Sequence, residues 1–514
     1  MDEDRKAIKF LLSNNYIVSP NSKTVFRNHS DPMALAKKFI ETFSTDIKCD
    51  EFTLTKLINN TNQSPTPNYK VNIQPPISRK IPTIKKKYTI NTKIDDLTDL
   101  HNYEPKFSII QEPILSDNLV GDLNDMVGYF QNRYKKLSNI LKRRADLSNF
   151  HKINEVKKEQ NNISVIGMLS EKTINSENSA QLILEDPHNE KILEVIVSDP
   201  ILVEQATQIM LDSVICVKGN VNPKGMFFAT HIILPDIPSK PISSQNYADE
   251  TVHVAFLSDI HVGSKGFLDK PMDKFIDFLN GKGENLHLQK LGKNTKYVMF
   301  SGDVVDGVGI YPGQLDELAM DSIHDQYDAF GSFLERIPED VQMVVIPGNH
   351  DMVRSAEPQP KIPERYAPTL SKMENVHLLP NPSQVSLHGV NTLLYHCTSL
   401  PDMINNIPGM QIDKPIEVMI NMLKARHLAP MWGSKTPLAT EPEDHLVIDP
   451  IPDIFHGGHV HINGYGKYKG VQIVNSGTMQ AQTSFQKSLN IDPTPGQVTL
   501  LNLKTRIPSQ LDFM

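Results

Sequence analysis

The sequence predicts a multidomain α+β protein: a small helical domain at the N-terminus, a small β-barrel in the middle and a larger α/β domain at the C-terminus. Three observations predict it. The chain has 514 residues, and at roughly 150 residues per domain that length suits about three domains. Its apolar spacing changes from helical before residue 150 to short β-rich runs over 162–238, then to strands alternating with helices from 251 onward. In that last region the strand ends carry Asp, Asn or His, often beside glycine.

With 39% hydrophobic and 22% charged residues, the composition excludes wholesale disorder, collagen and coiled coil. The 52 Lys plus Arg against 60 Asp plus Glu give a formal charge of −8. That argues against a surface coated in positive charge and leaves room for a local nucleic-acid groove. Cys49, Cys216 and Cys397 form no Cys-x-x-Cys pair, so neither a disulfide framework nor a zinc ribbon is expected, and a cytoplasmic location is the default. The start MDEDRKAIKFLLSNNY lacks the pattern of a signal peptide, and no run approaches the roughly 20 apolar residues of a membrane helix, so no membrane partner is expected.

Residues 1–58 read as a small helical interaction domain, with AIKFLLSNN, DPMALAKKFIETF and DEFTLTKLINN as its helices. Over 59–118 the composition shifts to Asn, Thr, Pro and Lys, including Pro75, Pro76, Pro82 and Lys85 to Lys87, which predicts a flexible linker. Within 119–150, Leu123, Met126, Val127, Phe130, Tyr134, Leu137 and Leu141 recur at three and four residue steps and predict an amphipathic helix. Its other face carries Arg133, Lys135, Lys136, Lys142, Arg143 and Arg144. Arg133, Lys135, Lys136, Arg143 and Arg144 are therefore candidate DNA contacts, although a solvated outer face is the commoner meaning of such a stripe.

Residues 151–242 hold five β-rich runs: ISVIGMLSEK, AQLILED, KILEVIV, SVICVKGNV and MFFATHIILPDI. A helical stretch, SDPILVEQATQIML, precedes the fourth. Five strands with that helix suggest a Greek-key barrel of the oligonucleotide-binding (OB) type. Such barrels bind strands or proteins, so the fold alone decides nothing about function.

In the C-terminal domain, 243–514, each strand delivers a chemically loaded turn. VHVAFLSDIH ends in Asp259 and His261, YVMFSGD in Asp303, QMVVIPGNHD in Asn349 and His350, TLLYHC in His396, and DIFHGGHVH in His459 and His461. Open α/β folds place their sites at carboxyl ends of strands. Carboxylates with imidazoles suit manganese, iron or zinc, and magnesium less well. A carboxylate between two such clusters can bridge two ions about 3.5 to 4 Å apart for in-line attack on phosphorus. Asp306, Asp351 and His456 lie close enough in sequence to support the ligands. His253, on a strand itself, reads as structural.

Asp259-x-His261, Gly302-Asp303, Gly348-Asn349-His350, His396 and Gly458-His459-x-His461 together resemble the calcineurin-like metallophosphoesterase superfamily over 251 to about 505. With SGDVVDGVGIYPGQ, FHGGHVH, NSGTMQAQTSFQK and the preceding barrel, the chain resembles in particular the small subunits of archaeal family D DNA polymerases. The resemblance implies a calcineurin-like α/β sandwich and a proofreading 3′-to-5′ exonuclease that belongs to a polymerase holoenzyme. It implies a large catalytic polymerase subunit and primer-template or single-stranded DNA as partners, with other replication factors reached through the N-terminal domain and a nucleoid location. Two divalent ions are implied, Mn²⁺ first, with Mg²⁺, Fe or Zn as alternatives. Asp259, His261, Asp303 and His461 would hold one; Asp303, Asn349, His396 and His459 the other; His350 would be the catalytic acid or electrostatic partner of the leaving oxygen.

The stretches VVDGVG and IPGNHD lack the arginines of the superfamily's Ser/Thr phosphatases. Two alternatives stay open: a mainly structural scaffold for the large subunit, as in the related eukaryotic polymerase subunits that have lost the metal residues, or a free-standing repair phosphodiesterase.

Overall fold

The computed structural model describes residues 3–13, 25–27, 31–42, 103–116, 119, 121–175, 179–239 and 245–514. They fall in two units, Met1–Ile84 and Lys85–Met514. In the first, α1 (Glu3–Ser13) and α2 (Pro32–Thr42) bury Ala7, Leu11, Leu35, Ala36 and Phe39 together with Phe26. The three and four residue spacing places these side chains on facing stripes. Asp31 caps the start of α2 by accepting from the Ala34 N–H at 2.9 Å. The expected helix DEFTLTKLINN and residues 59–102 of the expected linker lie outside the described residues.

The second unit begins with a correction. Residues 103–116, expected as the end of the linker, are built into the fold: β1 (Phe107–Gln111) pairs antiparallel with Ser383–Leu387, Phe107 opposite Leu387. The Phe107 ring stacks on His377 at 4.1 Å, and the Lys106 N–H donates to the Tyr297 hydroxyl at 2.7 Å.

The next element is α3 (Leu123–Lys142), opened by a capping box between Asp122 and Asp125. Leu137 and Leu141 pack on Ile166, Met168, Val214 and Cys216, and on Val447 of the C-terminal domain. The basic stripe is not what charge counting suggests. Arg133 is fully buried; its Nε donates to Asp444 Oδ2 at 2.7 Å and its Nη2 to the Tyr129 hydroxyl at 2.9 Å. Asp444 Oδ2 also meets His427 Nε2 at 2.9 Å. Arg133 is thereby withdrawn as a DNA contact, because a guanidinium sealed against a carboxylate cannot reach a phosphate. Lys136 pairs with Glu443 at 2.6 Å and Arg144 with Asp146 at 2.7 Å, while Lys135 and Arg143 remain exposed.

The barrel comprises β2 (Phe150–His151), β3 (Ile163–Asn175), β4 (Ser179–Asp186), β5 (Asn189–Val197), β6 (Val214–Val221) and β7 (Phe227–Ile233), with α4 (Pro200–Thr207) before β6. The order β2-β3-β4-β5-β7-β6, with β3 also paired to β6, closes five long strands and leaves the two-residue β2 at the edge. Along β4 every second residue is buried, as one wet and one dry face require, and Leu182, Leu184, Val195, Val197 and Val217 fill the interior.

The C-terminal domain stacks two six-stranded sheets. One carries β8 (His253–Leu257), β9 (Thr295–Ser301), β10 (Gln342–Ile346) and β11 (Val376–Leu378), mutually parallel, then β17 (Gln497–Asn502) and β18 (Pro508–Asp512). The other runs from β1 through β12 (Ser383–Leu387), β13 (Val390–Leu394), β14 (Ile454–Gly457) and β16 (Val471–Asn475) to β15 (Gly464–Tyr468). Val254, Phe256, Tyr297, Met299, Val344 and Ile346 face the second sheet's Val385, Leu394, Ile454 and Val474. The alternate residues Ala255, Leu257, Val298, Phe300, Met343 and Val345 face α5 (Asp269–Leu279), α6 (Leu286–Lys293) and α7 (Ile323–Leu334). A second helical layer, Leu400–Asn406 and Pro415–Ala425, covers the other sheet. Burial on both faces explains why these strands read as unbroken apolar runs. At the C-terminus, Leu511 and Phe513 are buried in the domain's own core. Among the described residues no helix is long and apolar enough to cross a membrane.

Candidate metal centre

The loaded turns converge because they leave the same ends of the two sheets. Asp259 and His261 follow β8, Asp303 follows β9, and Asn349 and His350 follow β10; His396 follows β13, and His459 and His461 follow β14. Asp259, His261, Asp303, His459 and His461 all have left-handed backbones, with φ of 55°, 53°, 51°, 71° and 60°. Each such non-glycine residue costs on the order of 1 kcal/mol, strain that clusters where a side chain must be aimed. Glycine makes the approach possible: a Cβ on Gly348 would lie 2.3 Å from Asp303 Oδ1, and one on Gly458 1.9 Å from Ser258 Oγ.

Two donor sets of the expected ligands result, and a third, overlapping group, His261, Asp306 and His350, shares His261 with the first. The ligand-competent atoms of Asp259, His261 and His461 lie within 4.8 Å of one another, as do those of Asp303, His396 and His459. His261 Nε2 faces His461 Nε2 at 3.1 Å. His396 Nε2 lies 3.2 Å from Asp303 Oδ2 and 3.0 Å from Asn349 Oδ1. Asp303 Oδ2 is also 4.0 Å from His261 Nε2, which places this carboxylate between the sets.

These residues fit divalent cations. His261 Nδ1 engages the Asp306 carboxylate at 2.9 Å and His396 Nδ1 the Ser301 carbonyl at 2.7 Å. Each ring therefore donates outward through Nδ1 and turns Nε2 inward, the arrangement that fixes an imidazole for a metal. Asp259 Oδ1 is buried without a hydrogen-bond partner, and Asn349 presents a carbonyl to an imidazole nitrogen, both satisfied by a positive ion.

The electrostatics agree. Burial alone would raise the Asp303 and Asp259 carboxyls, yet the surrounding histidines, His396 foremost at Asp303 and His461 at Asp259, hold both below the usual carboxylate range. Burial pushes His459 down to about 3, which keeps the ring neutral with one nitrogen lone pair free. His396 goes the other way: burial opposes its charge, but Asp303 raises it to about 10, so positive charge is favoured where its Nε2 points.

Asp306 orients His261, and Gln480 and Gln314 both donate to Asp306, at 3.2 and 3.3 Å. Asp351 accepts from the Gly348 N–H at 2.8 Å and from the Tyr327 hydroxyl at 3.1 Å; burial and the Asp303 charge raise it to about 7. His456 bonds Ser301 and Ser476, each at 2.8 Å, and touches the ligands only through Ser301. His253 is buried in β8, away from the donor sets. His350 is half-buried: its N–H donates to Asp303 Oδ1 at 2.8 Å, its Nδ1 meets the Asp306 carbonyl at 2.8 Å, and its ring lies edge-on to His261 with centroids 4.8 Å apart.

Sequence reasoning missed several supports. Ser258 donates to Asp259 Oδ2 at 2.5 Å, and the Gln486 amide meets His461 Nδ1 at 2.9 Å. Gln480 and Gln486 both lie in NSGTMQAQTSFQK, where three glutamines beside a turn were the available signal. Of the basic residues of α3 and its end, Arg133, Lys136 and Arg144 pair instead with Asp444, Glu443 and Asp146.

Known proteins bear on about three quarters of the chain. The sequence model of the B-type subunits of DNA polymerases alpha and epsilon matches residues 254–461, a span that includes both donor sets. The DNA polymerase II small subunit of Methanothermobacter thermautotrophicus is 42% identical over 398 residues, 77% of this chain and 81% of that protein. Its namesake from Archaeoglobus fulgidus is 39% identical, covering 77% and 80%, and that from Methanocaldococcus jannaschii 40%, covering 74% and 64%. A solved archaeal phosphodiesterase, 11% identical with a TM-score of 0.26 over 51% of this chain and 99% of that one, is too distant to carry an argument. Identity of this level, running well beyond the turns that carry the donor sets, is that of relatives sharing one architecture: the chain belongs to the family of DNA polymerase II small subunits.

Proposed function

We propose that the chain is the proofreading 3′-to-5′ exonuclease subunit of a two-subunit replicative DNA polymerase, with a calcineurin-like phosphoesterase domain as its catalytic part. Its partners are the large catalytic subunit and the primer end, and its place is with the DNA in the cytoplasm. The observation that carries the reading is Asp303 lying between two sets of inward-turned donors, with His350 held beside them.

Asp259, His261, Asp303 and His461 would hold one divalent cation, and Asp303, Asn349, His396 and His459 the other, manganese suiting the mixed carboxylate and imidazole set. Bound, the pair supplies Lewis-acid polarisation of phosphoryl oxygens and a water acidic enough to attack near neutral pH. The protein's own part is positional. Asp306 and Gln486 fix the rings of His261 and His461, and Ser258 fixes Asp259. Water attacks the terminal phosphorus, the bond from phosphorus to the neighbouring 3′ oxygen breaks, and His350 passes a proton to that leaving oxygen or steadies its charge. Its Nδ1, tied to the Asp306 carbonyl, leaves Nε2 for that task.

A purely structural scaffold is the weaker reading. Such a protein has no use for five left-handed residues aimed at one point or for a buried carboxylate oxygen that faces two imidazoles at 3.4 and 3.9 Å and forms no hydrogen bond. The test is degradation of 3′-labelled single strands and mismatched primer ends by the full chain, alone and with its large subunit, in manganese or magnesium. Shortening from the 3′ end is expected; failure on both substrates in every combination refutes the nuclease reading and leaves the scaffold.

A further inference from the structure

Beside His350 stands an aromatic ring that the two-cation reading does not use. The Tyr311 centroid is 6.3 Å from that of His350, and the side chain is exposed, as are Val308, Ile310 and Leu315 of the same loop. That loop is braced. Gln314 donates to the Asp306 carbonyl and accepts from the Ile310 N–H, both at 2.8 Å, while Gln326 holds both polar groups of Gly307 at 2.9 and 3.1 Å. The Tyr311 hydroxyl donates to Glu317 Oε2 at 2.8 Å, and Glu317 Oε1 accepts from Ser484 Oγ at 2.9 Å. Ser484 begins the short helix that carries Gln486, the partner of His461, so the ring is tied to the same scaffold as the donor sets.

The charge of this rim points to its ligand. From Asp306 to Met320 there is no lysine or arginine, whereas Asp306, Asp316 and Glu317 are acidic, and the ammonium of Lys265 from the neighbouring turn is engaged with the Asp316 carbonyl at 2.7 Å. A rim that gripped phosphates would present cations. This one presents a ring and aliphatic surface, and any nucleobase with a free face can stack on an exposed aromatic side chain. In a duplex both faces of an internal base are covered by its neighbours, and a terminal pair offers one face whose orientation pairing fixes; a frayed or single-stranded end is free to turn its last base onto a ring held beside the site.

We propose that Tyr311 stacks on the terminal base of an unpaired 3′ end and so selects unpaired over paired ends for hydrolysis. The inference rests on the nuclease reading above and adds a specificity residue to it.

The test uses the full chain with its large subunit, manganese and no nucleotides. The substrates are two single strands that differ only in whether the last nucleotide carries a base or is abasic. Wild type should show a KM about tenfold lower for the base-ended strand, the scale of one stacked base, with similar kcat. Tyr311→Phe should keep the difference. Tyr311→Leu should abolish it by raising KM on the base-ended strand alone, with metal content and abasic-strand kinetics unchanged. Equal KM values in wild type, or a preference that survives Tyr311→Leu, overturns the stacking role and leaves the nuclease reading standing. Cleavage of neither strand by wild type overturns the nuclease reading, and this one with it.

Discussion

At the scale of single residues, Asp303 and His350 divide the work differently. Asp303 reaches both donor sets, whereas His350 contacts them through its N–H to Asp303 and its edge-on ring against His261. His350→Ala should therefore keep the bound cations while lowering kcat by about 10² to 10⁴, the usual contribution of a positioned acid. Metal analysis alongside single-turnover cleavage checks this, and loss of cations in that variant refutes the assignment. The residues of the two sets were legible in the sequence because Asp-x-His, Gly-Asn-His and His-x-His each end a strongly apolar run. Their supports were not. Nothing local tells that Gln486 meets a histidine 25 residues earlier, or that the Ser258 hydroxyl sits between its neighbour's carboxylate and the Ser301 carbonyl.

At the scale of elements, α3 shows how a charge pattern misleads. A basic stripe looks the same whether it faces solvent, phosphate or a buried carboxylate, and the partner of Arg133, Asp444, lies 311 residues away. Arg133→Ala would leave the buried Asp444 without its guanidinium partner, so it should destabilise the chain by about 3 to 5 kcal/mol. Lys135→Ala, on the exposed face, should change stability by less than about 0.5 kcal/mol. Urea denaturation of the two variants separates them, and an Arg133→Ala protein of wild-type stability contradicts the buried pair. The edge strand β1 escaped notice for a related reason. FSIIQ is five residues long in a polar stretch, and what makes it a strand is an antiparallel partner supplied by Ser383–Leu387. The barrel strands, by contrast, are long and paired with sequence neighbours, and their alternation was visible.

At the scale of the whole molecule, the layers set how the protein responds to acid. Burial pushes His253 and His427 down to about 4 and His456 and His459 to about 3. All four sit neutral in the folded chain but take up protons near pH 6.5 once unfolded. Their contribution is complete above pH 6.5 and is lost as pH falls toward 4. Asp351 and Glu357, both raised by burial to about 7, oppose this, since they hold protons in the folded state that the unfolded chain releases. Four histidines outweigh two acids. The chain stripped of divalent cations should lose roughly 2 to 3 kcal/mol per pH unit around pH 5.5. Urea unfolding at pH 7.5, 6.0 and 5.0 measures it, and a flat profile contradicts the burial of these rings.

The same whole-molecule geometry makes the central claim a matter of counting. Turns from both sheets meet at Asp303, so its removal should disturb both donor sets at once, although its carboxylate is one ligand among seven residues. The direct measurement is the number of manganese ions bound per chain, in wild type and in Asp303→Ala, read by mass spectrometry of the metal after equilibration and desalting. Two ions in wild type and fewer than two in the variant, with cleavage abolished, is the predicted result. A wild type that binds none, or an Asp303→Ala chain that still holds two, would contradict it.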